Sequence, residues 1–249
     1  MKYYKDISID LICADFEKIR KHLKIEKWLT WGGSFGSTLS INSGTRYPER
    51  CLALILRGIC LDTAPEAQAI YSRSSDEFEI LYHYAANNVA RHEPPLDPED
   101  AERLTRLYAD MITAGDKKAI WHWYVFENNL MEVNSKFILD PEVIDNEYLP
   151  EATSVAFFET RLWLHGSYEV STNILDRIDP ALTQMPIWIC QGRLDEVCPP
   201  RYARQFMDAI DDIGSIFSAR FLDSGHEDTD PVMVECLKES LYDMKRNTT

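Results

Sequence analysis

Gly32-Gly33-Ser34-Phe35-Gly36 is a G-x-S-x-G pentapeptide set between an apolar run, Trp28-Leu29-Thr30-Trp31, and a stretch of helical pattern closed by Pro48. A serine at a strand-to-helix turn stands above a helix N-terminus, where developing negative charge is favoured. Glycines at the flanking positions let backbone and helix approach each other without a Cβ clash. A serine hydroxyl is a poor nucleophile until a base takes its proton, and that base needs an acid to hold it. Two later segments supply these types in the chain order such a site requires, serine, then acid, then histidine. Gln191-Gly192-Arg193-Leu194-Asp195 follows the apolar run Ile187-Trp188-Ile189-Cys190, and Asp223-Ser224-Gly225-His226 follows Ser218-Ala219-Arg220-Phe221-Leu222. The pentapeptide alone is a weak signal, matched equally by a glycine-rich packing turn. A loop acid is commonly a cap, and a loop histidine is commonly a surface group. Order and placement together carry the assignment of Ser34, Asp195 and His226 to acyl transfer through an acyl-serine. His83, His92, His122 and His165 lack such placement, and His165 reads as structural.

The elements that must position these residues are short and alternating. Ile12, Phe16, Ile19 and Leu23 recur at steps of four, three and four, which predicts an amphipathic helix over 8–24. Strand Trp28–Trp31 leads into a helix from Ser34 to about Tyr47. The continuous apolar run Cys51-Leu52-Ala53-Leu54-Ile55-Leu56 has the length of a parallel strand covered on both faces. Residues 61–180 are aromatic-rich, acidic and helical in pattern, broken at Glu93-Pro94-Pro95-Leu96-Asp97-Pro98. Strands return at 187–190 and 218–222, separated by a helix over 202–210 and followed by one over 231–244. The order αβαβ, helical block, βαβα predicts a parallel α/β sheet of about four strands, built from residues 1–60 and 186–249, with residues 61–185 as a helical cap.

Composition narrows the partners. The net charge of −15, from 41 acidic and 26 basic side chains, argues against nucleic acid or an anionic membrane surface, both of which need a basic face. Charges at Lys2, Lys5, Asp6, Asp10, Asp15, Glu17, Lys18 and Arg20 leave no room for a signal-peptide core, and no apolar run reaches spanning length. The expectation is a cytoplasmic protein. Cys13, Cys51, Cys60, Cys190, Cys198 and Cys236 form no CxxC pair and no dense framework, so reduced, packed thiols are expected. The scattered histidines have no ligand spacing with a cysteine, so neither a metal nor another cofactor is expected. In the helical block, Glu127 within Trp121-His122-Trp123-Tyr124-Val125-Phe126-Glu127 and Glu159 within Phe157-Phe158-Glu159 are acids among aromatics, costly to bury unless a cation meets them. From spacing alone, a helix acid facing water is the better reading of each.

A family resemblance rests on these segments. Ile19-Arg20-Lys21-His22-Leu23-Lys24-Ile25-Glu26-Lys27-Trp28, Gly32-Gly33-Ser34-Phe35-Gly36-Ser37-Thr38-Leu39, Tyr47-Pro48-Glu49-Arg50 and Leu56-Arg57-Gly58-Ile59 resemble the nucleophile region of proline iminopeptidases. Gly192-Arg193-Leu194-Asp195-Glu196-Val197-Cys198-Pro199 and Gly225-His226 resemble the same family further on. The resemblance implies an α/β-hydrolase core with a helical cap, a triad of Ser34, Asp195 and His226, and the Phe35 N–H as one oxyanion donor. It also implies that cap acids hold the free amino group of the substrate, and the matching positions are Glu127 in Phe126-Glu127-Asn128 and Glu159 in Glu159-Thr160-Arg161-Leu162-Trp163-Leu164-His165-Gly166. The flanks of Glu127 differ more from the family's pattern. The family's front strands and its His-Gly-Gly-Pro-Gly loop, the usual source of a second oxyanion donor, precede the region where this chain starts, so a truncated core is expected. Asn42-Ser43-Gly44 also stands where the family has small apolar residues.

The activity implied is release of an N-terminal proline or similar residue from a peptide or amide. Alternatives are acyl transfer or cyclisation on a small amine-bearing metabolite with the same triad, or a non-catalytic interaction module in which the triad is a relic. A shortened core would leave the run Trp28–Trp31 as an unpaired apolar edge, and such edges invite pairing with another chain. The expected partners are therefore a small peptide or amine-bearing molecule and further copies of this chain.

Overall fold

A computed structural model describes residues 7–72, 78–90, 93–131, 139–169, 174–178, 182, 185–211 and 217–247. The chain divides into two units, residues 1–62 with 172–249, and residues 63–171. The later boundary falls before the expected return at 186. Ile174, Leu182 and Met185 belong to the sheet's own core, and their irregular spacing hides this in the sequence.

The first unit opens with α1 (Ile9–His22), capped by Ser8, whose Oγ accepts from the Leu11 N–H at 3.3 Å. The helix is amphipathic as expected, yet its apolar stripe is not its buried face. Phe16, Ile19 and Leu23 are exposed while Cys13, Glu17 and Arg20 are buried. The cause is local: Arg20 forks onto both Glu17 carboxylate oxygens at 2.6 and 2.7 Å and also donates to the Ile25 and Glu26 carbonyls, pinning the turn after the helix.

Among the described residues four parallel strands follow, β1 (Trp28–Gly33), β2 (Cys51–Arg57), β3 (Ile187–Gly192) and β4 (Phe217–Leu222), laid side by side in that order. Register pairs Gly33 with Arg57, Arg57 with Cys190, and Gly192 with Leu222, so the carboxyl ends line one edge of the sheet. Between β1 and β2 lies α2 (Phe35–Arg46), between β3 and β4 lies the eighth helix (Pro200–Asp211), and the last (Pro231–Asn247) follows β4. Alternation along the strands sends Leu54, Leu56, Ile187 and Ile189 toward Tyr202, Ala203, Phe206 and Ile210 on one face. Ala53, Ile55, Trp188 and Cys190 meet Met233, Cys236 and Leu237 on the other. This double cover is why β2 and β3 read as continuous apolar runs.

The expectation of six reduced thiols is corrected at one place. Cys190 on β3 and Cys236 on the last helix form a disulfide, brought together because that helix packs on β3. Cys13, Cys51, Cys60 and Cys198 take no part in a disulfide and are buried, as expected.

The second unit is helical: α3 (Ala64–Ile70), α4 (Phe78–Asn88), α5 (Ala101–Thr113), α6 (Lys117–Met131) and α7 (Leu149–Trp163), which runs on into a π-helical turn, Leu164–Glu169. A capping box between Thr63 and Glu66 starts α3, and Asp100 caps α5 through the Arg103 N–H. Its core is aromatic: Tyr71 stacks on Trp123 at 4.9 Å between ring centroids and also meets Phe126 and Trp163. Among the described residues, no helix is long and apolar enough to cross a membrane.

Candidate active site

Ser34 sits between β1 and α2 with φ 54° and ψ −130°, a conformation L-residues rarely adopt. Three backbone contacts hold it there. Its N–H donates to the Arg57 carbonyl at 2.8 Å, and its own carbonyl accepts from the Ser37 N–H at 2.8 Å and the Ser37 hydroxyl at 2.6 Å. The turn is tight enough that a Cβ on Gly32 would collide with the Gly36 carbonyl and the Ser40 hydroxyl. A Cβ on Gly36 would meet nothing within 4 Å. Of the two glycines that frame the pentapeptide, close approach therefore requires only Gly32. The Phe35 N–H, at the first position of α2, is among the first-turn donors that have no partner within a helix, and it lies at the positive end of the helix dipole.

The structure brings all three residues of the expected triad together. His226 Nε2 lies 3.0 Å from Ser34 Oγ, and His226 Nδ1 lies 2.9 and 3.0 Å from the two Asp195 carboxylate oxygens. Asp195 and His226 are 3% and 4% exposed, so their hydrogen bond is shielded from water, whereas Ser34 is only half-buried. His226 is thus not the exposed residue that a histidine in a loop after a strand commonly is. Gly58, after β2, completes the packing. With φ +52° it passes close beneath the pair, and a Cβ there would sit 3.2 Å from Asp195 Oδ2 and 3.3 Å from His226 Cε1.

Two polar residues that the chemistry alone did not single out stitch these loops together. Arg57 uses its carbonyl for the Ser34 N–H and its guanidinium for the His226 carbonyl at 2.6 Å, so one residue at the end of β2 grips both neighbours. Gln191, fully buried on β3, bonds the Ile59 N–H, the Cys198 carbonyl and Asp195. The available signal was a polar side chain closing an apolar strand at the sheet's carboxyl edge, in Leu56-Arg57 and Cys190-Gln191.

In the helical unit, Glu127 on α6 is buried and accepts from the Tyr71 hydroxyl at 2.7 Å, while Glu159 on α7 accepts from the Trp123 indole N–H at 2.9 Å. Burial pushes the Glu127 carboxyl up to about 7, against the pull of the Tyr71 hydrogen bond. Burial, then the neighbouring Glu127 charge, push Glu159 well above the usual carboxylate range. Both donors are neutral, so a cation placed between the two carboxylates would gain more than it would from either acid in water. No cluster of three or more histidine, cysteine or acidic groups able to hold a metal occurs among the described residues.

A parallel sheet with a serine at a strained strand–helix turn after β1 and an acid and a histidine on the loops after β3 and β4 defines a class, and the chain falls within it. Residues 3–230 match the alpha/beta hydrolase fold family, and the chain belongs to that family. Among its relatives, it is 33% identical over 201 residues to a probable proline iminopeptidase of Leptolyngbya boryana, covering 76% of this chain and 57% of that protein. It is 27% identical over 243 residues to the proline iminopeptidase of Neisseria meningitidis serogroup B, covering 94% of this chain and 72% of that protein. The chain thus spans little more than half the length of the first relative. An esterase of Exiguobacterium antarcticum superposes with a TM-score of 0.58 over 96% of this chain and 74% of its own, at 12% identity, a likeness of fold.

Proposed function

We propose that the chain is a serine hydrolase of the aminopeptidase kind, releasing an N-terminal proline or similar residue from a peptide or amide. The observation that carries this reading is the hydrogen-bonded series from Ser34 Oγ through His226 to Asp195, with spacings of 3.0 and 2.9 Å. Ser34 Oγ attacks the carbonyl carbon while its proton passes to His226 Nε2, and Asp195 stabilises the imidazolium that forms. The Phe35 N–H donates to the oxyanion of the tetrahedral intermediate. Collapse expels the leaving amine, which takes the proton from His226, and leaves an acyl-Ser34 that water hydrolyses with His226 again as base. The substrate's free ammonium is assigned to Glu127 and Glu159, two neighbouring acids whose carboxyls burial pushes up. Similarity to two proline iminopeptidases supports the substrate class.

The test is a fluorophosphonate probe on wild type and Ser34→Ala, followed by hydrolysis of prolyl-arylamide against other aminoacyl-arylamides. Labelling that depends on Ser34, with preference for prolyl-arylamide, is the expected result. Equal labelling of Ser34→Ala would refute the nucleophile. A flat response across aminoacyl groups would refute the substrate class alone.

A further inference from the structure

We infer that Gln191 is a positioning residue for the acid of the triad, fixing both the direction of the Asp195 carboxylate and the loop that carries it. The inference rests on the reading of Ser34, His226 and Asp195 as a triad.

Gln191 is the fifth residue of β3 and has no exposed surface. A buried primary amide must find partners for one acceptor oxygen and two donor hydrogens. Its Oε1 accepts from the Ile59 N–H at 3.1 Å, which fixes the direction of the amide and leaves Nε2 pointing into the Asp195 loop. There Nε2 donates to the Cys198 carbonyl at 2.9 Å and lies 3.2 Å from the Gly192 carbonyl and 3.4 Å from Asp195 Oδ2. From the same loop, the Cys198 N–H donates to Asp195 Oδ1 at 2.7 Å. Each carboxylate oxygen thus has a second donor besides His226 Nδ1: the Cys198 backbone for Oδ1 and the Gln191 amide for Oδ2.

This arrangement does two jobs that a hydrophobic residue could not. A carboxylate held by one oxygen can swing about its Cβ–Cγ bond, and donors on both oxygens stop that rotation, keeping His226 aimed at Ser34. The amide also joins the loop after β2 to the loop after β3. Through Ile59 it reaches the segment whose Cys60 N–H donates to the Ser37 hydroxyl at 2.9 Å, and that hydroxyl holds the Ser34 carbonyl at 2.6 Å. One buried side chain thereby ties the acid's loop to the nucleophile's turn. Its hydrogen bonds run to the loops after β2 and β3 rather than along the sheet, so its role lies in the groups it connects.

The experiment is a double-mutant cycle read by the rate at which a fluorophosphonate labels Ser34, in wild type, Gln191→Leu, Asp195→Ala and the double variant. Unfolding is followed alongside, so that rates are compared per folded molecule. Gln191→Leu is expected to slow labelling about 10–100-fold, because an ångström of misplacement costs on that order. It is expected to slow it no further in the Asp195→Ala background, because the residue acts through that carboxylate. On an activated ester, kcat should fall with KM unchanged. If Gln191→Leu does not fold, Gln191→Glu enters the same cycle; it keeps the acceptor for the Ile59 N–H and loses the amide donors. Labelling at the wild-type rate overturns the inference, and so does an equal slowing with and without Asp195. A wild type whose labelling does not depend on Ser34 removes the triad reading itself, and this inference with it.

Discussion

Glu127→Gln should make the protein more stable at neutral and alkaline pH, and the structure says by about how much. The folded protein holds the Glu127 carboxyl at about 7 against an ordinary value of 4.5, because burial disfavours its charged form. Proton binding is thus stronger in the folded state than in the unfolded one. The stability linked to this carboxyl is fully present below about 4.5 and is lost as pH rises through about 7. The difference of 2.5, from 7 less 4.5, corresponds at about 1.4 kcal/mol per unit to roughly 3 kcal/mol. Glu159 is displaced in the same direction and adds to the loss. The amide introduced by the substitution would keep an acceptor for the Tyr71 hydroxyl, carry no charge at any pH, and relieve Glu159 of its neighbour. Thermal unfolding of wild type and Glu127→Gln from pH 4.5 to 8.5, without substrate, reads the effect directly. At about 2–4 °C per kcal/mol for a chain of this size, the curves should separate by about 6–12 °C at pH 8 and converge at pH 4.5. Glu17, held at about 2 chiefly by its hydrogen bond to Arg20, loses its contribution only below this window and does not confuse it. Parallel curves would show that Glu127 ionises as an ordinary carboxylate, and the cation site would lose its basis.

Other consequences are simpler to test. Ser34→Gly should exceed Ser34→Ala in stability by about 1 kcal/mol, since glycine relieves strain of about 1–3 kcal/mol at φ 54°, ψ −130° and loses about 0.5–1 kcal/mol in entropy; equal denaturant midpoints would mean the turn is unstrained. Glu159→Gln should raise KM about tenfold or more for substrates with a free amine and spare those whose amine is acylated; equal effects would return Glu159 to a packing role. Among the described residues β1 is an outer strand of the sheet and its Trp31 is 49% exposed, and we propose that the protein associates through this edge; sedimentation at micromolar concentration as a clean 28.8 kDa monomer would refute that.

How much of this was legible in the sequence depends on the range over which each feature is decided. β2 and β3 announced themselves because a strand covered on both faces must be apolar at every step, as Cys51–Leu56 is. Ser34, Asp195 and His226 were legible because one parallel sheet delivers every strand's end to the same edge, so that order along the chain becomes neighbourhood in space. Features settled by two side chains meeting from distant segments were not. The Cys190–Cys236 disulfide joins residues 46 apart whose contact exists only because the last helix lies on β3. The inward face of α1 was misleading for the opposite reason: its hydrophobic period is real, but the Glu17–Arg20 pair and the two carbonyls that Arg20 holds set the helix's orientation. The pairing of Glu127 with Glu159 depends on how α6 lies against α7, which spacing on either helix leaves open.

Arg57 and Gln191 stand between these cases, and they show what a sheet edge asks of its strands. A strand that ends in the interior can stay apolar to its last residue. A strand that ends beneath a catalytic loop must hand over to irregular backbone whose N–H and C=O groups have no ladder to join. Arg57 and Gln191 are placed at that handover, and between them they engage the His226 carbonyl, the Ile59 N–H and the Cys198 carbonyl. The polar residue closing each apolar run is therefore a consequence of the loop it supports. The same edge that gathers the reacting groups creates the unpaired backbone that such residues must satisfy, so a search for positioning residues in a sheet of this kind begins at the last two residues of each strand.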